Sequence, residues 1–273
     1  MLFFPNAKIN LGLQVHDQRS DGYHNIETLM YPVPLRDVAE FIVVSGSALA
    51  GGPVCQCYGH KPDGHSENLC VKAYRLISSD FDIPPVQISL YKHIPVGAGL
   101  GGGSADGTFM LKSLNEYFSL GISDGQLADY ALQLGSDCPF FITNKPALVT
   151  GRGEVIETVY LSLRGYFLTL VFPHIRINKG KAYAALNRSA KPETLRSFID
   201  IPPENWRDQL ENQFEAYAFK QYPEIADIKK ELYRHGAVYA SMTGSGSSVY
   251  GLFHQPEVLK DVFRDYFLWQ CEL

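Results

Sequence analysis

Hydrophobic positions recur along this chain with two periods, and the switches between them predict its strands and helices. Ile9, Leu11, Leu13 and Val15 alternate with Asn10, Gly12 and Gln14, which predicts a half-buried strand, and Asp21-Gly22 marks the turn after it. Apolar stretches at 26–33 and 38–44 predict two further strands, and the alternation of Val86, Ile88 and Leu90 predicts another. A glycine- and proline-rich loop comes before it, after which Ser66 is expected to cap a helix carrying Leu69, Cys70, Ala73, Leu76 and Ile77 on one face. Such alternation favours antiparallel sheet with one covered face over the continuously apolar strands of a parallel sheet. Two helices follow. Met110, Leu111, Leu114 and Phe118 stripe the first, while Ser123 and Gln126 open the second as a capping box and Gly135 stops it. From about Gly165 the pattern predicts strands at 166–172, 237–241 and 248–253, with helices near 178–186, 214–220, 225–234 and 256–263. This second half reads as a smaller α+β unit.

Composition narrows the function. At 273 residues the chain is long enough for one to two domains, and 45% apolar with 19% charged residues describes a globular protein rather than a disordered one. Net charge is 24 − 29 = −5 with no basic run, which disfavours a nucleic-acid or membrane-surface protein and favours a small-molecule partner. No apolar stretch approaches the ~20 residues of a membrane span. The opening residues 1–8 lack the basic-then-apolar order of a signal peptide, so a cytoplasmic protein is expected. Five cysteines are too few and too odd for a disulfide framework and fit free thiols. Cys55, Cys57, His60, His65 and Cys70 fall close together, but the spacing is not that of a zinc module. Cys55-x-Cys57 is read as sending its thiols to opposite faces of a strand, Cys70 falls in the predicted helix, and a polar loop between elements is expected here.

The most informative segment is 95–106, where five glycines separate a strand from a helix. Glycine permits positive φ and close approach to a ligand, and the helix start beyond offers unpaired N–H groups and a positive dipole end. A phosphate group suits it. Gly97-Ala98-Gly99-Leu100-Gly101-Gly102 also satisfies G-x-G-x-x-G, yet the context of a dinucleotide fold is missing: the preceding strand alternates, Pro95 interrupts, and Glu116 falls inside a helix. No G-x-x-x-x-G-K-[ST] run exists. A second small-residue segment, 243–248, lies between predicted strands and reads either as a hairpin turn or as a second close approach to substrate. Lys8 stands at the entrance of an apolar strand, and Asp137 follows the helix-stopping Gly135; each alone is as well explained by a solvated surface charge.

Together these segments resemble the GHMP kinases. Residues 5–11 (P-N-A-K-I-N-L) are similar to the family's P-A-K-x-N-L opening, 19–24 (R-S-D-G-Y-H) to R-x-D-G-Y-H, 97–104 to G-x-G-L-G-G-G-S, 134–140 to L-G-[AS]-D-x-P-F, and 242–246 to the third family motif. The R-x-D-G-Y-H run is the most discriminating. It marks the branch whose acceptor is 4-diphosphocytidyl-2-C-methyl-D-erythritol, phosphorylated at its 2-hydroxyl in non-mevalonate isoprenoid precursor biosynthesis. Asn6, Ala105 and Gly107 depart from the commoner pattern, and because backbone N–H groups bind the phosphates these changes bear on helix stability more than on chemistry.

The resemblance implies an α+β, two-domain fold: residues 1–155 as a ribosomal-protein-S5-domain-2-like nucleotide-binding domain and 156–273 as a ferredoxin-like domain. It implies ATP as co-substrate, held by Pro95, Gly97, Ala98, Gly99, Leu100, Gly101, Gly102, Gly103 and Ser104 with Asn68 on the nucleotide side. Mg²⁺ is expected with the triphosphate, Ser104 being able to lend it an oxygen. By the same resemblance Tyr23, His24 and Tyr183 frame the cytosine, and Asn10 holds the erythritol or diphosphate. Asp137 is expected to accept the proton of the 2-hydroxyl, with Lys8 beside it lowering its pKa and stabilising developing charge. A different acceptor, a non-catalytic nucleotide sensor and an RNA-binding module are the alternatives. The R-S-D-G-Y-H run, the presence of both Lys8 and Asp137, and the net charge of −5 argue against them in turn. No oligomeric state is implied.

Overall fold

A computed structural model describes residues 1–22, 24–44, 53–60, 67–186 and 194–273. In chain order the first elements are β1 (Leu2–Phe3), β2 (Asn6–Gln18), β3 (His24–Arg36), β4 (Val38–Val43), β5 (Val54–Gly59), α1 (Leu69–Asp80) and β6 (Val86–Lys92). Three helices follow, α2 (Gly102–Tyr117), α3 (Asp124–Leu134) and α4 (Phe140–Thr143), then β7 (Ala147–Thr150), β8 (Val155–Thr158) and β9 (Phe167–Phe172). The chain finishes with α5 (Lys179–Ala184), α6 (Phe214–Gln221), α7 (Pro223–Arg234), β10 (Tyr239–Met242), β11 (Val249–Phe253) and β12 (Phe267–Glu272). Two short 3₁₀ turns, Leu195–Phe198 and Pro203–Asn205, lie between α5 and α6. Among the described residues no helix is long and apolar enough to cross a membrane.

The chain divides into two units, each assembled from separate segments. The first comprises Met1–Ala7, Leu35–Val96 and Gly101–Lys145. Its sheet has the order β1-β4-β6-β5, antiparallel except for the parallel pair β5 and β6. Phe41, Ile88 and Leu90 of the sheet bury against Cys70, Ala73 and Ile77 of α1 and Met110, Leu111 and Leu114 of α2. The helices are where the apolar period puts them. Ser123 and Gln126 form the expected capping box of α3, and Gly135 ends that helix. Ser66 lies outside the described residues; the cap of α1 is Asn68, whose side chain accepts from the Cys70 N–H at 2.8 Å.

Gly107 shows why this chain departs from an alanine there. A Cβ at that position would lie 2.9 Å from the Leu69 Cβ and 3.1 Å from a Leu134 methyl, so the missing side chain lets α2 close on the start of α1.

The second unit comprises Lys8–Pro34, Gly97–Leu100 and Pro146–Leu273. It holds two four-stranded sheets, ordered β2-β3-β7-β8 and β10-β11-β9-β12. In the latter, Val171, Val249 and Ala240 pack with Phe214, Ile225, Ile228 and Leu232 of α6 and α7. Trp206 is fully buried, its ring meeting that of Tyr239 edge-on at 5.3 Å.

Two expectations are corrected. Residues 256–263 form no helix: turns precede β12, whose six residues pair antiparallel with β9. Pro256 and the short apolar spacing mimic a helix start, but sheet pairing of the following segment claims the chain. The expected polar loop around Cys55 is strand β5, and its two thiols share a face, 3.7 Å apart, because residues two apart on a strand point the same way. All five cysteines are free.

Replacing a helical glycine by alanine gains roughly 0.5–1 kcal/mol where space allows. At Gly125 of α3 nothing lies within 4 Å of the added methyl, whereas at Gly107 the overlap with Leu69 brings an overpacking cost of about 1–3 kcal/mol. Gly125→Ala is therefore expected to raise the urea midpoint and Gly107→Ala to lower it. Equal shifts of the same sign would refute the packing argument.

Candidate active site

In the second unit Lys8 and Asn10 lie at the start of β2. Lys8 is only 2% exposed, so it is not a solvated surface charge. Its main-chain N–H donates to the Leu100 carbonyl at 2.9 Å, and its ammonium donates to Asn10 Oδ1. Asn10 is fixed on every side: Nδ2 donates to Thr28 Oγ1 at 2.9 Å, its N–H donates to Thr243 Oγ1 at 3.0 Å, and its carbonyl accepts from the Tyr250 hydroxyl at 3.0 Å. A buried polar side chain with this many partners has one orientation.

The glycine segment and the 243–248 connection meet backbone to backbone. A Cβ on Gly99, whose φ is +82°, would lie 2.1 Å from the Thr243 carbonyl oxygen, and the Ser248 N–H donates to the Ala98 carbonyl at 3.1 Å. The connection is thus the hairpin turn between β10 and β11 and also the partner of Gly97–Leu100. Asn212 clamps it, giving Nδ2 to the Met242 and Gly244 carbonyls at 2.7 Å each. Asn212 escapes sequence reading, since its only local signal is a polar residue two positions before α6.

On the first unit, Gly101 starts α2 at φ +71° with no side-chain cap, and the first turn holds no acidic residue. The opening N–H groups of Gly102, Gly103 and Ser104 therefore face no competing carboxylate from that turn, and a Cβ on Gly103 would meet no atom within 4 Å. Such a helix start favours an anion. Asp137 sits half-buried in the turn joining α3 to α4. Its neighbour Cys138 carries a thiol pushed up to about 11 by burial, which keeps it neutral. Pro95 is buried just ahead of the glycines, and Asn68 adds to its capping bond a donation to Cys57 Sγ at 3.4 Å.

Two of the predicted aromatic residues are in contact. The His24 and Tyr183 rings stack with centroids 5.3 Å apart and planes 25° from parallel, and Tyr183 meets Phe214 edge-on at 4.9 Å. Asn178 caps α5 beneath them by accepting from the Lys181 N–H at 3.0 Å. Tyr23 lies outside the described residues.

Two family models match the chain, the GHMP kinases N terminal domain over residues 68–145 and the GHMP kinases C terminal over 184–267. A protein of Bacteroides fragilis, 48% identical with the whole of both chains covered, is named 4-diphosphocytidyl-2-C-methyl-D-erythritol kinase. The chain belongs to the GHMP kinase family. A Porphyromonas gingivalis protein of the same name is 46% identical over 99% of this kinase and 98% of its own chain. The crystal structure of a 4-(cytidine 5'-diphospho)-2C-methyl-D-erythritol kinase superposes with a TM-score of 0.84 at 29% identity, covering 99% and 98% of the two chains. A mevalonate kinase shares the fold at a TM-score of 0.72 and 13% identity. The expected two-domain α+β GHMP kinase fold is the fold observed, and the protein is an ATP-dependent kinase.

Gly99→Ala tests the close approach. The left-handed backbone costs a side chain about 1–2 kcal/mol, and the overlap with the Thr243 carbonyl adds to it. The expected result is a lower melting temperature together with a raised KM for ATP; a variant with wild-type values for both would refute the tie between the two segments.

Proposed function

We propose that this kinase transfers the γ-phosphoryl group of ATP to the 2-hydroxyl of 4-diphosphocytidyl-2-C-methyl-D-erythritol, giving the 2-phosphate and ADP. The observation that carries the reading is end-to-end similarity, at 48% identity, to a kinase of that name. The His24–Tyr183 stack agrees with it, because a planar base needs a flat aromatic face to lie on. The division at 155/156 belongs to the same proposal, with one matched family segment on either side of it. So does a cytoplasmic setting.

Phosphoryl transfer through a loose transition state asks for an aligned alcohol and for neutralised charge. Asp137 accepts the proton of the 2-hydroxyl. Lys8 stabilises the negative charge that develops, its ammonium kept oriented by Asn10. Asn10, its Oδ1 taken by Lys8 and one Nδ2 hydrogen by Thr28, has the other Nδ2 hydrogen for the erythritol or diphosphate portion. The phosphates of ATP lie along Gly97–Ser104, and Asn68 serves the nucleotide side.

Magnesium fits this arrangement only as a metal carried by the triphosphate. Among the described residues no group of three or more His, Cys, Asp or Glu side chains gathers to make a cage. Mg²⁺ keeps several waters and takes one or two protein oxygens, one of which Ser104 could lend. When bound, the ion would offset the charge of the triphosphate.

Asp137→Asn is expected to lower kcat by about 10²–10⁴-fold with little change in the acceptor KM. Near-normal turnover would remove the role of Asp137. His24→Ala and Tyr183→Ala are each expected to raise the acceptor KM, leaving that of ATP unchanged. ADP release measured with mevalonate or homoserine in place of the cytidine-linked acceptor should stay at background; turnover with either would overturn the substrate assignment.

A further inference from the structure

Lys92, the last residue of β6, turns its ammonium into the interior of the first unit, where it is 5% exposed between two carboxylates. Asp37 is fully buried and Asp106, one turn into α2, is 3% exposed. The ammonium donates to both. Asp37 uses its other oxygen to accept the main-chain N–H groups of His93 at 2.6 Å and Ile94 at 2.8 Å, the two residues that lead from β6 toward the glycine segment. A Cβ on Gly102 would lie 3.3 Å from Lys92 Nζ and 2.9 Å from Ile94 Cγ2, so the ammonium sits directly beneath the first turn of α2.

Stability is a poor reason for this arrangement. Three ionisable groups have left water, and a well-packed apolar trio of the same volume would be at least as stable. What an apolar trio lacks is direction. One ammonium ties the end of β6 to the residue before β4 and to the first turns of α2, while Asp37 holds the backbone at 93 and 94. The residues on both sides of Pro95–Gly101 are thereby held by one hydrogen-bonded set.

Burial and charge act together on the three groups. Burial pushes the Asp106 carboxyl well above the usual carboxylate range against the pull of Lys92, and its Oδ1 makes no hydrogen bond. Burial by itself depresses Lys92, but the two carboxylates outweigh it and keep the ammonium charged.

We propose that Lys92, held by Asp37 and Asp106, is a positioning residue that sets the shape of the glycine segment for the triphosphate, an inference that rests on ATP lying along residues 97–104. Lys92→Met in the full-length enzyme is the test. It should raise the KM for ATP about tenfold, with the acceptor KM within about twofold, and should speed hydrogen exchange at the amides of 93–106 in the free enzyme. The double variant Lys92→Met with Asp37→Asn neutralises one of the two carboxylates left without the ammonium; it should regain melting temperature without regaining the ATP KM. A lowered melting temperature with unchanged ATP KM, or a double variant that regains both, would reduce the cluster to a structural role and overturn the proposal. Should Lys92→Met not fold, Lys92→Arg, which keeps the charge but alters reach, is judged by the same split between the two KM values. If ATP fails to protect the amides of 97–104 in the wild-type enzyme, the nucleotide assignment itself falls, and this outcome is distinct from the others.

Discussion

The geometry of the second unit turns on a contact between main chains at Gly99. A side chain there would overlap the Thr243 carbonyl, so only glycine lets the segment before α2 and the β10–β11 hairpin come this close. Around that approach the chain has ordered a set of buried polar groups. Thr243 presents its hydroxyl within reach of both the Gly99 carbonyl and Asn10 Oδ1, Asn10 holds the Lys8 ammonium, and Asn212 ties the hairpin from the other side. None of these groups has freedom to rotate without leaving a buried partner unpaired, which is what makes the arrangement rigid.

Rigidity of this kind suits phosphoryl transfer. The reaction asks the protein for little bond-making of its own and for much prior alignment, so polar groups that are already oriented before substrate arrives need not be reordered during the reaction. At the helix start Gly101–Ser104 the first N–H groups have no acceptor within the helix, and no side chain caps them. Glycine serves two distinct purposes in one short run. At Gly99 it permits closeness between two parts of the protein, and at Gly103 an added Cβ would meet no atom within 4 Å.

Much of this was legible in the order of residues, and the exceptions have local causes. Strands β2, β3, β4 and β6 and helices α2, α3 and α7 follow apolar periods long enough to outweigh single-residue noise. The apolar pattern did not single out β7, β8 and β12, which pair with β3, β7 and β9. β5 was hidden by its half-exposed pattern and by the Cys-x-Cys spacing, whose shared face is plain only once the strand is recognised. The apparent helix at 256–263 shows the reverse error, a local apolar rhythm overruled by pairing of the segment beyond it.

Sequence by itself determined the glycine run, the capping of α3, the family motifs and hence the class of reaction, because each of these is written within a few neighbouring residues. Tertiary structure decided what those residues face. Lys8 and Asp137 read equally well as surface charges until burial distinguished them, the former being wholly enclosed and the latter half so. Asn212 gave no signal because its partners lie thirty residues away and are carbonyl groups, which every residue has. Asp37, Lys92 and Asp106 are likewise unremarkable in isolation and span seventy positions; only the folded sheet and helix bring one ammonium between two carboxylates. Local chemistry is encoded locally, whereas burial and pairing are properties of the packed chain, and it is these that turn a common side chain into a specific one.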